Sequence, residues 1–207
     1  MTKTEVESPE AIFADRSGLE LFYRDYVSQG VGSAVLCLHG FMRNSRDFEE
    51  LAPRLAVGRR VIASDLHGHG HSARMTKATD YHFDLLISDM WALLDHLHIE
   101  RVVVIGTTLG GLMAIEMAGK EPERVAGIVV NDIGAGIPLP ALKRTAGHAG
   151  NADYSFEEAV ARVKEHNETI YPGFGKDDWI CLMLRAYRKI RPGRYARELS
   201  AGDFKSN

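Results

Sequence analysis

The segment GTTLGG (Gly106–Gly111) places Gly106, Thr108 and Gly110 two residues apart. It lies between an apolar run, RVVVIG (Arg101–Gly106), and a helical pattern, LGGLMAIEMAGKEP (Leu109–Pro122). Such a run reads as a buried parallel strand, and the pattern after it as a helix packed on the sheet. The spacing is that of a G-x-S-x-G turn with Thr108 at the serine position. A turn this sharp holds its central residue in a strained, positive-φ conformation. The two flanking glycines let the strand and helix backbones approach closely.

The same alternation recurs along the chain. Leu19–Tyr26 alternates and predicts an early, edge-side strand, and Gly30–Gly32 a turn. SAVLCLHG (Ser33–Gly40) and RRVIASD (Arg59–Asp65) read as buried strands. Ser45 or Asn44 is placed to cap a helix with Phe48, Leu51 and Leu55 on one face. Asp84–Leu97 carries Leu86, Met90, Leu93, Leu94 and Leu97 at helical spacing. VAGIVVND (Val125–Asp132) is a further strand. Strands alternating with helices from Ser33 to Asp132 predict an α/β fold with a doubly wound, mostly parallel sheet. Beyond IGAGIPLP (Ile133–Pro140) no apolar strand pattern appears. Ala141–His148, Phe156–Asn167 and Asp177–Ile190 read as helices, with turns at Gly150–Tyr154 and Tyr171–Lys176.

Composition narrows the function classes. A length of 207 residues suits one domain, and a net charge of -3 predicts no attraction to nucleic acid or anionic membranes. No apolar run approaches the roughly 20 residues of a membrane span. The polar start MTKTEVESPE is unlike a signal peptide, so a cytoplasmic protein is expected. Cys37 and Cys181 are far apart; Cys37, inside a strand pattern, reads as a small core residue.

Three motifs together resemble the α/β-hydrolase superfamily, in its branch with a helical cap. They are LHGF at Leu38–Phe41, SDLHGHGHS at Ser64–Ser72, which matches the D-x-x-G-x-G-x-S loop, and the Gly106–Gly110 turn, which matches the nucleophile elbow. They fall in the family's order over about Leu19–Asp132. The resemblance implies a core over 1–137, a cap segment over 138–190 and a polar, fraying tail over 191–207. It puts Thr108 at the nucleophile position, with the backbone N–H groups of Phe41 and Leu109 as oxyanion-hole donors. It also implies that the acid follows a seventh strand and the histidine an eighth. Neither strand pattern is present, so the final strands are expected to be missing from this sequence.

Several residues compete for the remaining roles. Asp132, ending the sixth strand, is the acid candidate, against a turn role at NDIG. His39 is expected to shape the oxyanion loop, and His148 and His166 lie in the cap segment. Thr107 is the neighbouring hydroxyl, but the elbow register favours Thr108. His67, His69 and His71 alternate with glycines and, in an extended stretch, would point one way, as a zinc or nickel ligand set needs. The loop motif explains them without a metal, with Asp65 and Ser72 fixing the loop by hydrogen bonds. No cofactor and no metal is assigned.

The expected activity is hydrolysis of an ester, lactone or C–C bond by acyl transfer on a small molecule. It is expected to be weak or absent, because a β-branched residue sits poorly at positive φ and its methyl crowds the attacking oxygen. The alternative is a non-catalytic protein holding a small apolar ligand under the cap. Dehalogenation is disfavoured, since that chemistry needs a carboxylate at the elbow. With Val125–Asp132 as the last strand, the apolar edge of Val125, Ile128, Val129 and Val130 invites a second chain, so a homo-oligomer is expected.

Overall fold

A computed structural model describes residues 10–14, 18–28, 30–74, 82–133 and 153–197. Among these residues six strands form one sheet: β1 (Glu10–Ala14), β2 (Glu20–Tyr26), β3 (Ala34–Leu38), β4 (Val61–Ser64), β5 (Val102–Thr107) and β6 (Val125–Asn131). Their order is β1-β2-β4-β3-β5-β6. β3 is parallel to both β4 and β5, and β5 to β6, while β1 and β2 add an antiparallel margin.

Alternation in the strands builds the two faces. Leu36, Leu38, Ile62, Val102 and Val104 point to the layer of α2 (Phe83–His96) and α3 (Leu109–Lys120). Val35, Cys37, Val61 and Ala63 point to the opposite layer, with Phe48 and Ala52. Cys37 is fully buried there, and burial pushes its thiol up to about 12, so it stays a neutral core group.

Sequence and structure differ at definite places. β2 is not at the edge, because β1 pairs outside it, and all of Leu21–Tyr26 is buried rather than alternating. The helix expected after Asn44 breaks into a 3-10 turn, Ser45–Phe48, and a four-residue helix, α1 (Ala52–Leu55), with proline in its first turn. Leu51 consequently lies outside the buried face. Asn44, not Ser45, is the cap: its side chain accepts from the Arg46 N–H.

The helix Phe156–Asn167 is found as read and is α4, opened by a capping box of Ser155 and Glu158. The helix expected over Asp177–Ile190 stops early. α5 spans Lys176–Ala186, and Tyr187 continues as β7 (Tyr187–Arg191), paired with β8 (Arg194–Arg197). Gly193 makes the hairpin turn at φ 71. Residues 191–197 therefore belong to a hairpin rather than to a frayed tail. Asp153 explains part of this, since its carboxylate receives Arg194 at 2.7 Å and Arg191 at 2.6 Å. The Ala141–His148 helix lies outside the described residues, as do His148 and residues 198–207. α4, α5 and the hairpin share their own cluster around Ala159, Val163, Trp179, Met183 and Tyr187.

At the other side of the sheet β6 has no further strand beside it among the described residues. Ile128 is 39% and Val129 52% exposed there. No helix of the described residues is long and apolar enough to cross a membrane.

Candidate active site

Because β3, β4, β5 and β6 are parallel, their following loops all leave from one edge of the sheet. The chain moves outward in opposite directions from β3 and β5, so the crevice between these two strands is the topological switch point. Two of the loops meet there. Thr108 follows β5 with φ 47 and ψ -105, and α3 begins at the next residue. Its N–H donates to the Asn131 carbonyl at 3.0 Å, which ties the turn to the end of β6. A β-carbon on Gly40 would collide with the Thr108 Oγ1, so the loop after β3 lies directly against the hydroxyl.

The glycines make this turn possible. A β-carbon on Gly106 would run into the Gly110 carbonyl, and one on Gly110 into the backbone of Leu38. Strand β5, helix α3 and strand β3 are thus in backbone contact on either side of Thr108.

The loop after β3 is held through His39, which is fully buried. Its Nδ1 is 2.8 Å from the Gly40 carbonyl, and its Nε2 accepts the Leu66 N–H at 3.0 Å. The accepting Nε2 places the proton on Nδ1, so Nδ1–H donates to Gly40. The Arg43 N–H reaches the same carbonyl at 3.1 Å. The Gly40 carbonyl and the Phe41 N–H belong to one planar peptide. Fixing the first therefore fixes the direction of the second. Burial lowers the His39 imidazole to about 4, which keeps it neutral and unsuited to act as a base near neutral pH. Leu109, on the other side, opens α3, where the first N–H groups have no acceptor within the helix.

The D-x-x-G-x-G-x-S loop is fixed by hydrogen bonds of Asp65 and Ser72. Asp65 accepts the Ser45 N–H at 2.6 Å and the His71 N–H at 2.9 Å. Ser72 donates to the Asp65 carbonyl at 2.6 Å and accepts the Phe22 N–H at 2.9 Å. Gly68 and Gly70 turn at φ 80 and 52, so the loop is not extended and its three histidines diverge. His67 Nδ1 pairs with Asp89 at 2.7 Å, the His69 ring lies 4.9 Å from that of His39, and His71 lies 4.9 Å from Phe22. Among the described residues no group of three His, Cys, Asp or Glu is placed to hold a metal ion. Burial lowers His69 to about 3, and its Nε2, like that of His67, is buried without a hydrogen-bond partner.

Asp132 follows β6 at φ 57, exposed, one residue beyond the Asn131 that faces Thr107 across the strands. Of the two histidines expected in a cap segment, His166 donates from Nδ1 to the Arg162 carbonyl of its own helix at 2.7 Å. Sequence reasoning missed Asp89. The available signal was a carboxylate among Leu86, Ile87, Met90 and Leu93 on the buried face of a helix, which needs a buried partner.

A family model described as the alpha/beta hydrolase fold matches residues 33–169. The 3-hydroxybutyrate-oligomer hydrolase of Cupriavidus necator is 30% identical over 156 residues, covering 74% of this chain and 52% of that protein. A serine hydrolase-like protein of Danio rerio is 34% identical over 178 residues, covering 78% of this chain and 53% of its own length. The chain thus spans about half the length of these curated relatives. A solved α/β hydrolase from Novosphingobium aromaticivorans superposes with a TM-score of 0.89 at 32% identity, over 96% of this chain and 70% of the other. The positive-φ turn at the switch point, the loop packed against it and the match over 33–169 lead to one assignment: this chain belongs to the α/β-hydrolase family.

Proposed function

We propose that the chain carries the nucleophile half of an esterase-like site that works by acyl transfer. The contact between Thr108 and Gly40 carries this reading, since it sets a hydroxyl on a strained turn against the loop that bears the Phe41 N–H. In the proposed reaction the Thr108 Oγ1 attacks the ester carbonyl and loses its proton to a base. The Phe41 and Leu109 N–H groups receive the oxyanion that develops, a contribution on the order of 10²–10³ in rate per donor. Collapse expels the alcohol and leaves an acyl-threonine, which water cleaves. Asp132 is the acid candidate. The 3-hydroxybutyrate-oligomer hydrolase among the relatives supports an ester as the bond cleaved.

Turnover is low in this reading, because the threonine methyl shares the space of the attacking oxygen and the acyl group. A positive φ at a β-branched residue favours a second reading, in which the site binds a small apolar ligand without turnover. Hydrolysis of a short-chain aryl ester by the protein, Thr108→Ala and Thr108→Ser separates the two. Acyl transfer predicts slow turnover that vanishes with alanine and rises with serine. Background rates in all three overturn it, and saturable binding of the ester then supports the ligand-holding reading.

A further inference from the structure

The last carbonyls of a helix have no donor within it. At the end of α5 two of them are met by side chains from the segment that follows the oxyanion loop. Arg46 Nη1 donates to the Leu184 carbonyl at 2.8 Å, and Asn44 Nδ2 to the Arg185 carbonyl at 2.9 Å. The Arg185 guanidinium reaches back to Glu50 at 2.6 Å. A cation at a helix carboxyl end also sits favourably in the helix dipole.

Asn44 is buried and uses both ends of its amide. Its Oδ1 accepts the Arg46 N–H at 3.0 Å, so its Nδ2 must face Arg185. The segment around it is one hydrogen-bonded body. The Arg43 N–H holds the Gly40 carbonyl, the Asp47 N–H holds the Asn44 carbonyl, and the Ser45 N–H holds Asp65. The peptide that carries the Phe41 N–H and the grip on α5 therefore share this short body.

We propose that Asn44 and Arg46 form a latch that clamps the carboxyl end of α5 to the oxyanion loop, so that the helical unit and the Gly40–Phe41 peptide move together. Asn44 is then a positioning residue: it acts on the site through the Arg43–Gly40 link. The proposal rests on reading α4, α5 and the hairpin as the cap, and it makes the seating of that cap a condition for a correctly aimed donor.

Hydrogen exchange followed by mass spectrometry tests this without any need for turnover, so it stands apart from the aryl-ester assay. Asn44→Asp keeps the acceptor for Arg46 and removes the donor to Arg185. Arg46→Met removes the donor to Leu184, and Arg46→Lys restores a cation there. Asn44→Asp and Arg46→Met are expected to speed exchange about tenfold both in 176–187 and in 40–48, with β3, β4 and β5 unchanged. Arg46→Lys is expected to recover most of the protection. Unchanged exchange in α5, or faster exchange in α5 with 40–48 untouched, overturns the latch. If Asn44→Asp fails to fold, the Arg46 pair decides the matter by the same criteria.

Discussion

The Thr108 hydroxyl occupies the place where a β-carbon of Gly40 would stand. The glycine of the HG pair is therefore required by the residue at the turn after β5, although the two are far apart in sequence. Gly40→Ala should push either the Thr108 side chain or the β3 loop away from its position. Overpacking of this kind costs about 1–3 kcal/mol. Denaturant titration should show that loss, and on the proposed acyl-transfer reading ester turnover should fall with it. A variant of unchanged stability and turnover would mean that the two loops are not in contact.

Thr108 itself stores strain. Its φ of 47 is unfavourable for any residue with a β-carbon, and more so for a branched one. Thr108→Gly should stabilise the protein by about 1 kcal/mol and, on the proposed reading, abolish acyl transfer. Thr108→Ser removes only the branching methyl and should stabilise the protein by less than the glycine variant does. The check is the denaturation midpoint of each variant at one pH. A destabilised glycine variant would argue against strain at this turn.

The buried imidazoles predict a pH dependence. Burial holds His39 at about 4 and His69 at about 3, while an unfolded histidine titrates near 6.5. Between those limits the unfolded chain binds more protons than the folded one, so stability falls as pH falls. The full contribution is present above about pH 6.5 and is lost progressively toward pH 4 for His39 and pH 3 for His69. Thermal midpoints from pH 7.5 down to 4.5 should decline. His69→Phe keeps a ring against His39 and should make the decline shallower. A flat profile in the unaltered protein would contradict burial of these two groups.

The parallel core was legible because its signals are local. Buried strands such as Val102–Thr107 are continuous apolar runs, and Gly106, Thr108 and Gly110 mark the turn by spacing alone. What was not legible depends on distant partners. Asn44 was readable as a cap, but its second bond goes to Arg185, which no local pattern foretells. An extended stretch would point the three histidines after Asp65 one way, but Gly68 and Gly70 turn the loop and send each ring to a different partner. The β7–β8 hairpin was hidden because its strands are short and largely polar, and salt bridges from Asp153 help to hold it.

Asp65 gives the last prediction, because it joins two loops of the site through backbone donors. One carboxylate oxygen takes the Ser45 N–H and the other the His71 N–H, and the residue is 1% exposed. Gly70 leaves no room for a β-carbon beside it, so the carboxylate fills its niche closely. Asp65→Ala would leave both N–H groups without their acceptor. Each such loss costs about 1–3 kcal/mol, so a decrease of about 2–6 kcal/mol is expected. Asp65→Asn keeps one acceptor and should lose less. Because Ser45 lies within the same body as Asn44 and Gly40, faster exchange in 40–48 should accompany the alanine change. A loss of stability without that local change would separate Asp65 from the loop after β3 and confine its role to the turn around Gly70.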